Sequence, residues 1–191
     1  MKVSREQAEK NRERVVDTAA KLFREHGYNG IGVADLMKAA GLTNGAFYGN
    51  FNSKEDLMVE ACARTFENSA SSWARLAAKH PDAPFEAITA SYLSPKHRDN
   101  PGAGCAVVAL GPEVARLSSG VRDALTDGVR QQLDQLIALA EAESSQEKRD
   151  AVLVAYASMV GALMLSRAVN EPGLSDEFLR VVRQALSQSQ T

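Results

Sequence analysis

The sequence predicts an all-α chain, and three observations predict it. Apolar residues recur at three- and four-residue spacing almost throughout. No segment alternates apolar and polar residues as a half-buried strand would. The breaks fall at glycine, proline and serine clusters that suit helix ends. With 191 residues, 45% hydrophobic and 24% charged, the chain is long enough to bury a core and holds one or two domains.

The first helix carries an apolar stripe of Val15, Val16, Ala19, Ala20, Leu22 and Phe23 and ends at Gly27, a helix C-cap residue. A short helix over residues 33–40 follows, with Gly32 as its cap. Gly41-Leu42 makes a tight turn, and Thr43 can cap another short helix over residues 44–50. Ser53 then caps a long helix running to about His80, with Asp56 completing something close to a capping box. Breaks at Pro81–Pro84, the loop 94–104, Ser118–Gly120, Ser144–Ser145 and Glu171–Gly173 divide the rest. The expected helices are 84–93, 105–117, 119–143, 146–170 and 174–188, eight or nine in all, before the polar tail SQSQT.

Composition excludes several functions. There is no GxSxG, HExxH or nucleotide loop, and Gly102-Ala103-Gly104 lacks the preceding strand and third glycine of a dinucleotide motif. His26, His80 and His97 lie at helix ends or in a loop. No enzyme, cofactor or metal is expected; a helical enzyme or a scaffold is the alternative. The two cysteines, Cys62 and Cys105, have no metal-type spacing. The apolar run 151–165 is shorter than the roughly 18 residues a membrane span needs, so no membrane partner is expected. The charged start MKVSREQAEKNR does not read as a signal peptide, so the expected location is cytoplasmic, with free thiols. Residues 1–54 hold nine Lys/Arg against six Asp/Glu, whereas the remainder holds thirteen against eighteen. A basic start on an acidic body hints at an anionic partner.

Residues 33–50 pose the sharper question, because Gly45 and Gly49 sit four apart in a short helix where glycine costs roughly 1 kcal/mol relative to alanine. A short helix, a glycine turn and a second short helix form a helix-turn-helix, whose second helix enters a major groove. The order of a basic amphipathic helix, GYNGIGVADLMKAAGLTNGAFYGNF and SKEDL opening a long helix closely resembles the TetR family of bacterial transcriptional regulators over residues 12–60. The resemblance implies that Asn44, Gly45 and Tyr48 point to base edges. It sets Ala46, Gly49, Asn50 and Lys54 near the phosphates. Thr43 is either a cap or a base reader, and its hydroxyl could also reach a phosphate. Glycines without side chains would let the backbone approach DNA closely; the alternative is that they are incidental surface residues. Asn44 can bond adenine N6 and N7 together. Phe47 and Phe51 fall on the core face. Lys2 and Arg5 could follow a neighbouring groove, while Arg12 and Arg14 suit a solvated helix face.

The resemblance further implies a DNA-binding domain over 1–53 and a helical effector-binding and dimerisation domain over 54–191. The expected partners are a double-stranded operator, a second copy joined through helices 146–170 and 174–188, and an unidentified small-molecule effector. The expected function is repression relieved by that molecule or by thiol modification. Ala151, Ala155, Ala157, Ser158, Gly161 and Ala162 offer a small-residue seam, or ordinary intrachain core. Apolar candidates for the effector wall are Phe66, Trp73, Phe85, Tyr92, Val108 and Met159. Cys105, at a helix start after Lys96, His97 and Arg98, is positioned to favour thiolate. Its GC…EV…LS segment resembles a subgroup of the family that answers oxidants or electrophiles; the alternative is a small buried hydrophobe. Cys62 is expected to be inert.

Overall fold

A computed structural model describes residues 4–140 and 144–188, and among them every regular element is helical. Lys2 and the end of the SQSQT tail lie outside the described residues. The α-helices are α1 (Arg5–His26), α2 (Val33–Ala39), α3 (Lys54–Lys79), α4 (Pro84–Tyr92), α5 (Pro95–Arg98), α6 (Ala106–Val114), α7 (Ser119–Ile137), α8 (Ser145–Ala168) and α9 (Pro172–Gln188). Two 3₁₀ turns, Asn44–Ala46 and Pro101–Ala103, interrupt the connections.

Three boundaries depart from the sequence expectation. Residues 44–50 are not an α-helix: the 3₁₀ turn bonds Phe47 N to Asn44 O at 3.1 Å, and a further turn reaches Asn50. Two glycines in seven residues lower helix propensity enough for the tighter turn to win. Residues 94–104 form α5 and a 3₁₀ turn, because Ser94 caps His97 N at 3.2 Å and Pro95 occupies the first helical position. Helix α7 stops at Ile137, where the bonds tighten to Leu139 N–Leu136 O and Ala140 N–Ile137 O; residues 141–143 lie outside the described part.

Two apolar cores share α3. Val15, Val16, Ala19 and Phe23 of α1 pack with Leu36, Met37, Phe47, Phe51 and the first turns of α3 (Leu57, Met58, Ala61). Leu110 and Val114 of α6 close this core from below. The second core joins Trp73, Phe85, Ile88 and Tyr92 to Leu136, Val152, Met159 and Leu163. Ser53 caps α3 by accepting from Asp56 N at 3.0 Å, while Asp56 accepts from Asn52 N at 3.2 Å, one residue short of a reciprocal box.

A polar joint ties α6 to the N-terminal core. Gly27 has φ +78°, a conformation that L side chains rarely adopt, and a Cβ there would meet Glu113 Oε1 at 2.3 Å. Glycine is therefore required twice over. Its absence of a side chain lets Glu113 of α6 accept from Tyr28 N at 2.9 Å. Helix α6 is thereby tied to the loop that leads into α2.

Helix α8 has 24 residues and a mean hydropathy of 1.6 over its most apolar window, so it is long and apolar enough to cross a membrane. The sequence run alone had suggested otherwise. One side of it is core, through Val152, Tyr156, Met159 and Leu163; Val154, Met164 and Leu165 are exposed on the other.

Candidate DNA-facing surface and effector cavity

The 3₁₀ turn after α2 presents a distinct outer face. Phe47 and Phe51 are buried, as their spacing requires, with ring centroids 5.5 Å apart. Tyr48 is 74% exposed and stands edge-on to Phe47. Thr43, Asn44, Gly45 and Gly49 are also exposed. Thr43 has the extended backbone of a cap residue but makes no side-chain cap hydrogen bond. Asn44 makes no side-chain bond, so its amide is available. Asn50 is used internally: its Nδ2 donates to Ala46 O at 2.7 Å. Ala46 is half-buried against the core.

The fold itself asks nothing of the two glycines. A Cβ at Gly45 would meet nothing within 4 Å, and one at Gly49 would meet only Ala46 O at 3.7 Å. Neither has positive φ.

Lys54 is held inside the chain. Its ammonium donates to Tyr28 O at 2.5 Å and Ile31 O at 2.7 Å and lies 5.9 Å from the centre of the Phe23 ring. Burial lowers its pKa, against the pull of Glu113. Two of its three donors therefore fix the α1–α2 loop, and one remains for an outside acceptor. Arg12 pairs with Glu60 at 2.5 Å and lies 5.0 Å over Phe51, and Arg14 bonds Asn11 at 2.9 Å. Arg12 thus supports packing within the chain, while Arg14 stays on an exposed helix face.

A cavity of about 470 Å³ opens in the body between α1, α3, α4 and the segment 94–105. Of the seven residues expected to line an effector site, it brings together Trp73, Tyr92 and Cys105. The others lie in packed core: Phe66 clusters with Cys62 and Ala106, Phe85 and Met159 belong to the second core, and Val108 packs against it. The rest of the wall is polar, with Arg24, Thr65, Ser69, Ser72, Ser91 and His97 among its residues.

Cys105 caps α6, and its amide donates to His97 Nε2 at 3.0 Å. Nε2 therefore accepts, so Nδ1 carries the proton and donates to Tyr92 O at 2.8 Å. Burial lowers the His97 pKa, with the nearby Arg167 acting the same way against the Tyr92 bond. A neutral His97 corrects the expectation that it lends charge to the thiol. Arg98 does not lend it either, since it pairs with Asp99 at 2.7 Å and Asp176 at 2.5 Å. The cations that act on Cys105 are Arg24 and Arg167. Arg167 bonds the carbonyls of Arg98 (3.0 Å) and His97 (2.7 Å). The Tyr92 hydroxyl is buried without a nitrogen or oxygen partner and lies beside the Cys105 thiol, and desolvation is the main reason its pKa is raised.

Arg24 links the two regions. From the last turn of α1 its Nε donates to Gly102 O at 3.1 Å, one of its terminal nitrogens reaches the same carbonyl, and the other reaches the Thr65 hydroxyl. Sequence reasoning missed Arg24, Glu113 and Arg167. A signal was present on α3, where Thr65, Ser69 and Ser72 continue the stripe that buries Met58 and Cys62: polar residues on a core-facing line mark a cavity wall.

Among the described residues the chain is all-helical, with α2 and the exposed 3₁₀ turn set on a cavity-bearing body. The chain matches the family described as bacterial regulatory proteins, tetR family, over residues 15–61. It is 30% identical over 122 residues to the HTH-type transcriptional repressor NemR of Escherichia coli, covering 62% of this chain and 61% of NemR. It is 29% identical over 85 residues to the regulator AcrR of Shigella flexneri, covering 44% of this chain and 40% of that one. These alignments thus span about half the length of the curated relatives. Among solved structures, a TetR regulator from Chloroflexus aurantiacus is 25% identical, with TM-score 0.77 over 96% of this chain and 97% of that one. The reduced form of E. coli NemR is 24% identical, with TM-score 0.78 over 94% and 96%.

Proposed function

We propose that the chain is a transcriptional repressor that binds a two-fold DNA operator as a homodimer and is released when its cavity is occupied or Cys105 is modified. The observation that carries this reading is the outer face of Asn44, Gly45, Tyr48 and Gly49: exposed, without internal bonds from Asn44, and backed by the buried Phe47 and Phe51. Asn44 and Tyr48 meet base edges, and the glycines let the turn press close to the groove wall. Thr43, Ala46, Asn50 and the remaining Lys54 donor face phosphates. Residues 1–53 are the DNA-binding unit and 54–191 the effector and dimerisation unit, with the first turns of α3 packed into the former.

Dimerisation uses the outward faces of α8 and α9. Val154, Ala157, Gly161 and Met164 form a stripe at three- and four-residue spacing, and Leu174, Phe178 and Val181 form another. Gly161 has open space where a Cβ would stand, which suits close helix approach across the dimer axis. Ala155 and Ala162 of the small-residue seam are buried within the chain and belong to its own core. A dimer also covers the apolar face of α8 that would otherwise stand in water.

Release acts through α6 and the turn before it, which hold α1 by Glu113–Tyr28 and Gly102–Arg24. An electrophile entering the cavity meets the Cys105 sulfur, and that a relative has been solved in a form named as reduced supports a thiol role. Sedimentation at micromolar concentration and a genomic DNA pull-down test the reading. A dimer retaining a small set of sequences is expected; monomers alone, or capture without sequence preference, would overturn it.

A further inference from the structure

The cavity's charges have one sign. Its lining includes Arg24, Arg75 and Lys96 and no aspartate or glutamate, although residues 55–191 carry more acids than bases. Arg75 and Lys96 are exposed and mark the mouth; Arg24 is half-buried at the inner wall. Its hydrogen bonds go to neutral oxygens of Gly102 and Thr65, and among the described residues it has no ion-pair partner. Glu25 acts on it electrostatically but pairs with Lys21 at 3.9 Å. A half-buried cation without a counter-ion is costly unless something supplies one. The Tyr92 hydroxyl, 4% exposed, has no nitrogen or oxygen partner among the described residues and meets only the weakly accepting Cys105 sulfur on the same cavity, so an anion would be its stronger acceptor. Beside it the Trp73 and Tyr92 rings stand edge to face, 6.4 Å apart, and offer an aromatic wall.

Resting on the reading of this cavity as the effector site, we infer that it takes a small aromatic acid. Its ring lies against Trp73 and Tyr92, and its carboxylate or sulfonate accepts from the Arg24 guanidinium and the Tyr92 hydroxyl. Arg75 and Lys96 draw the anion in by long-range attraction. Because Arg24 belongs to α1, an anion that competes with Gly102 O for its donors loosens the same tie that holds the DNA-binding unit to the segment before α6.

The test uses the full-length protein and two probes of nearly equal shape, naphthalene sulfonate and neutral naphthalene sulfonamide. The rate at which iodoacetamide alkylates Cys105, read by mass spectrometry, reports occupancy of this cavity. The sulfonate is expected to protect Cys105 at about tenfold lower concentration than the sulfonamide. Arg24→Gln should erase that advantage and Arg24→Lys keep part of it. Should Arg24→Gln not fold, Arg75→Gln and Lys96→Gln carry the test, each cutting sulfonate affinity by about twofold to fivefold and flattening its salt dependence. Equal protection by both probes, or variants without effect, overturns the anion assignment and leaves the cavity intact. Failure of both probes to protect Cys105 overturns the effector-site reading itself.

Discussion

Two tyrosine–cysteine pairs lie within electrostatic reach of Arg24 and differ in what stands before them. Tyr28 of the first core meets Cys62 of the small cluster beside it, and Tyr92 meets Cys105 at the cavity. Both hydroxyls are buried without a nitrogen or oxygen partner. Cys62 is 1% exposed, and burial pushes its pKa up to about 11 despite the Tyr28 hydrogen bond and Arg24. Cys105 is little more exposed at 7%, yet it borders about 470 Å³ of open space. Similar neighbours thus give an inert thiol in one place and a reachable one in the other. The contrast extends to the whole molecule. On the proposed reading, the N-terminal part is closed within and meets DNA through its outer face, while the body responds through its interior cavity.

If that division holds, enlarging the outer face should destroy DNA binding and spare the fold. Gly49→Leu is expected to abolish operator binding with an unchanged melting temperature, because a Cβ there meets only Ala46 O, at the ordinary contact distance of 3.7 Å. Normal binding by this variant would make the glycine incidental. The thiols sharpen the comparison next: native-state alkylation of Cys105 should outpace that of Cys62 by about 100-fold, since Cys62 must await local opening. Comparable rates would erase the distinction between the two pairs.

Asn44→Ala tests the outer face more gently. It should cost about 1–3 kcal/mol on the operator and little on random DNA, without loss of stability. Lys54→Ala is the counter-case, since its ammonium serves the interior. Losing two charged bonds to the α1–α2 loop should lower stability by about 1–2 kcal/mol, discounted for partial exposure. It should also weaken binding to all DNA alike if the third donor meets a phosphate. Unchanged stability would return Lys54 to the surface role that the resemblance implies.

The smallest effect is a pH dependence. Because the folded-state pKa of His97 lies below its ordinary 6.5, the unfolded chain binds the proton more readily. The contribution of neutral His97 is full above that value and falls as pH drops through it. Thermal unfolding at pH 7.5 and 5.5 should show a loss that His97→Gln reduces; an identical loss in the variant would assign it to other groups.

The helices and the buried side of the turn after α2 were legible because their signals are local: Ser53 and Asp56 at a helix start, Gly27 at an end, Phe47 and Phe51 four apart. The 3₁₀ geometry at Asn44 was missed because Gly45 and Gly49 were weighed for groove approach before their cost to the helix. The cavity was legible only in part. Trp73, Tyr92 and Cys105 were found as apolar or reactive residues. Its polar wall and Arg24 come from segments separated by up to 81 positions, and only folding joins Arg24 to Gly102 and Cys105. The expectation of an apolar wall failed for the same reason, since Phe66, Phe85 and Met159 had nearer partners in the cores.

The most direct measurement of the central claim is an electrophoretic shift with DNA flanking the chain's own gene, in excess random DNA, before and after treatment with a quinone. Reduced wild-type protein is expected to retard the flanking DNA as a dimer, and the quinone to release it while leaving Cys105→Ser bound. Retardation no stronger than that of random DNA would contradict the regulator reading, and release of Cys105→Ser alongside the wild type would contradict control through the cavity thiol.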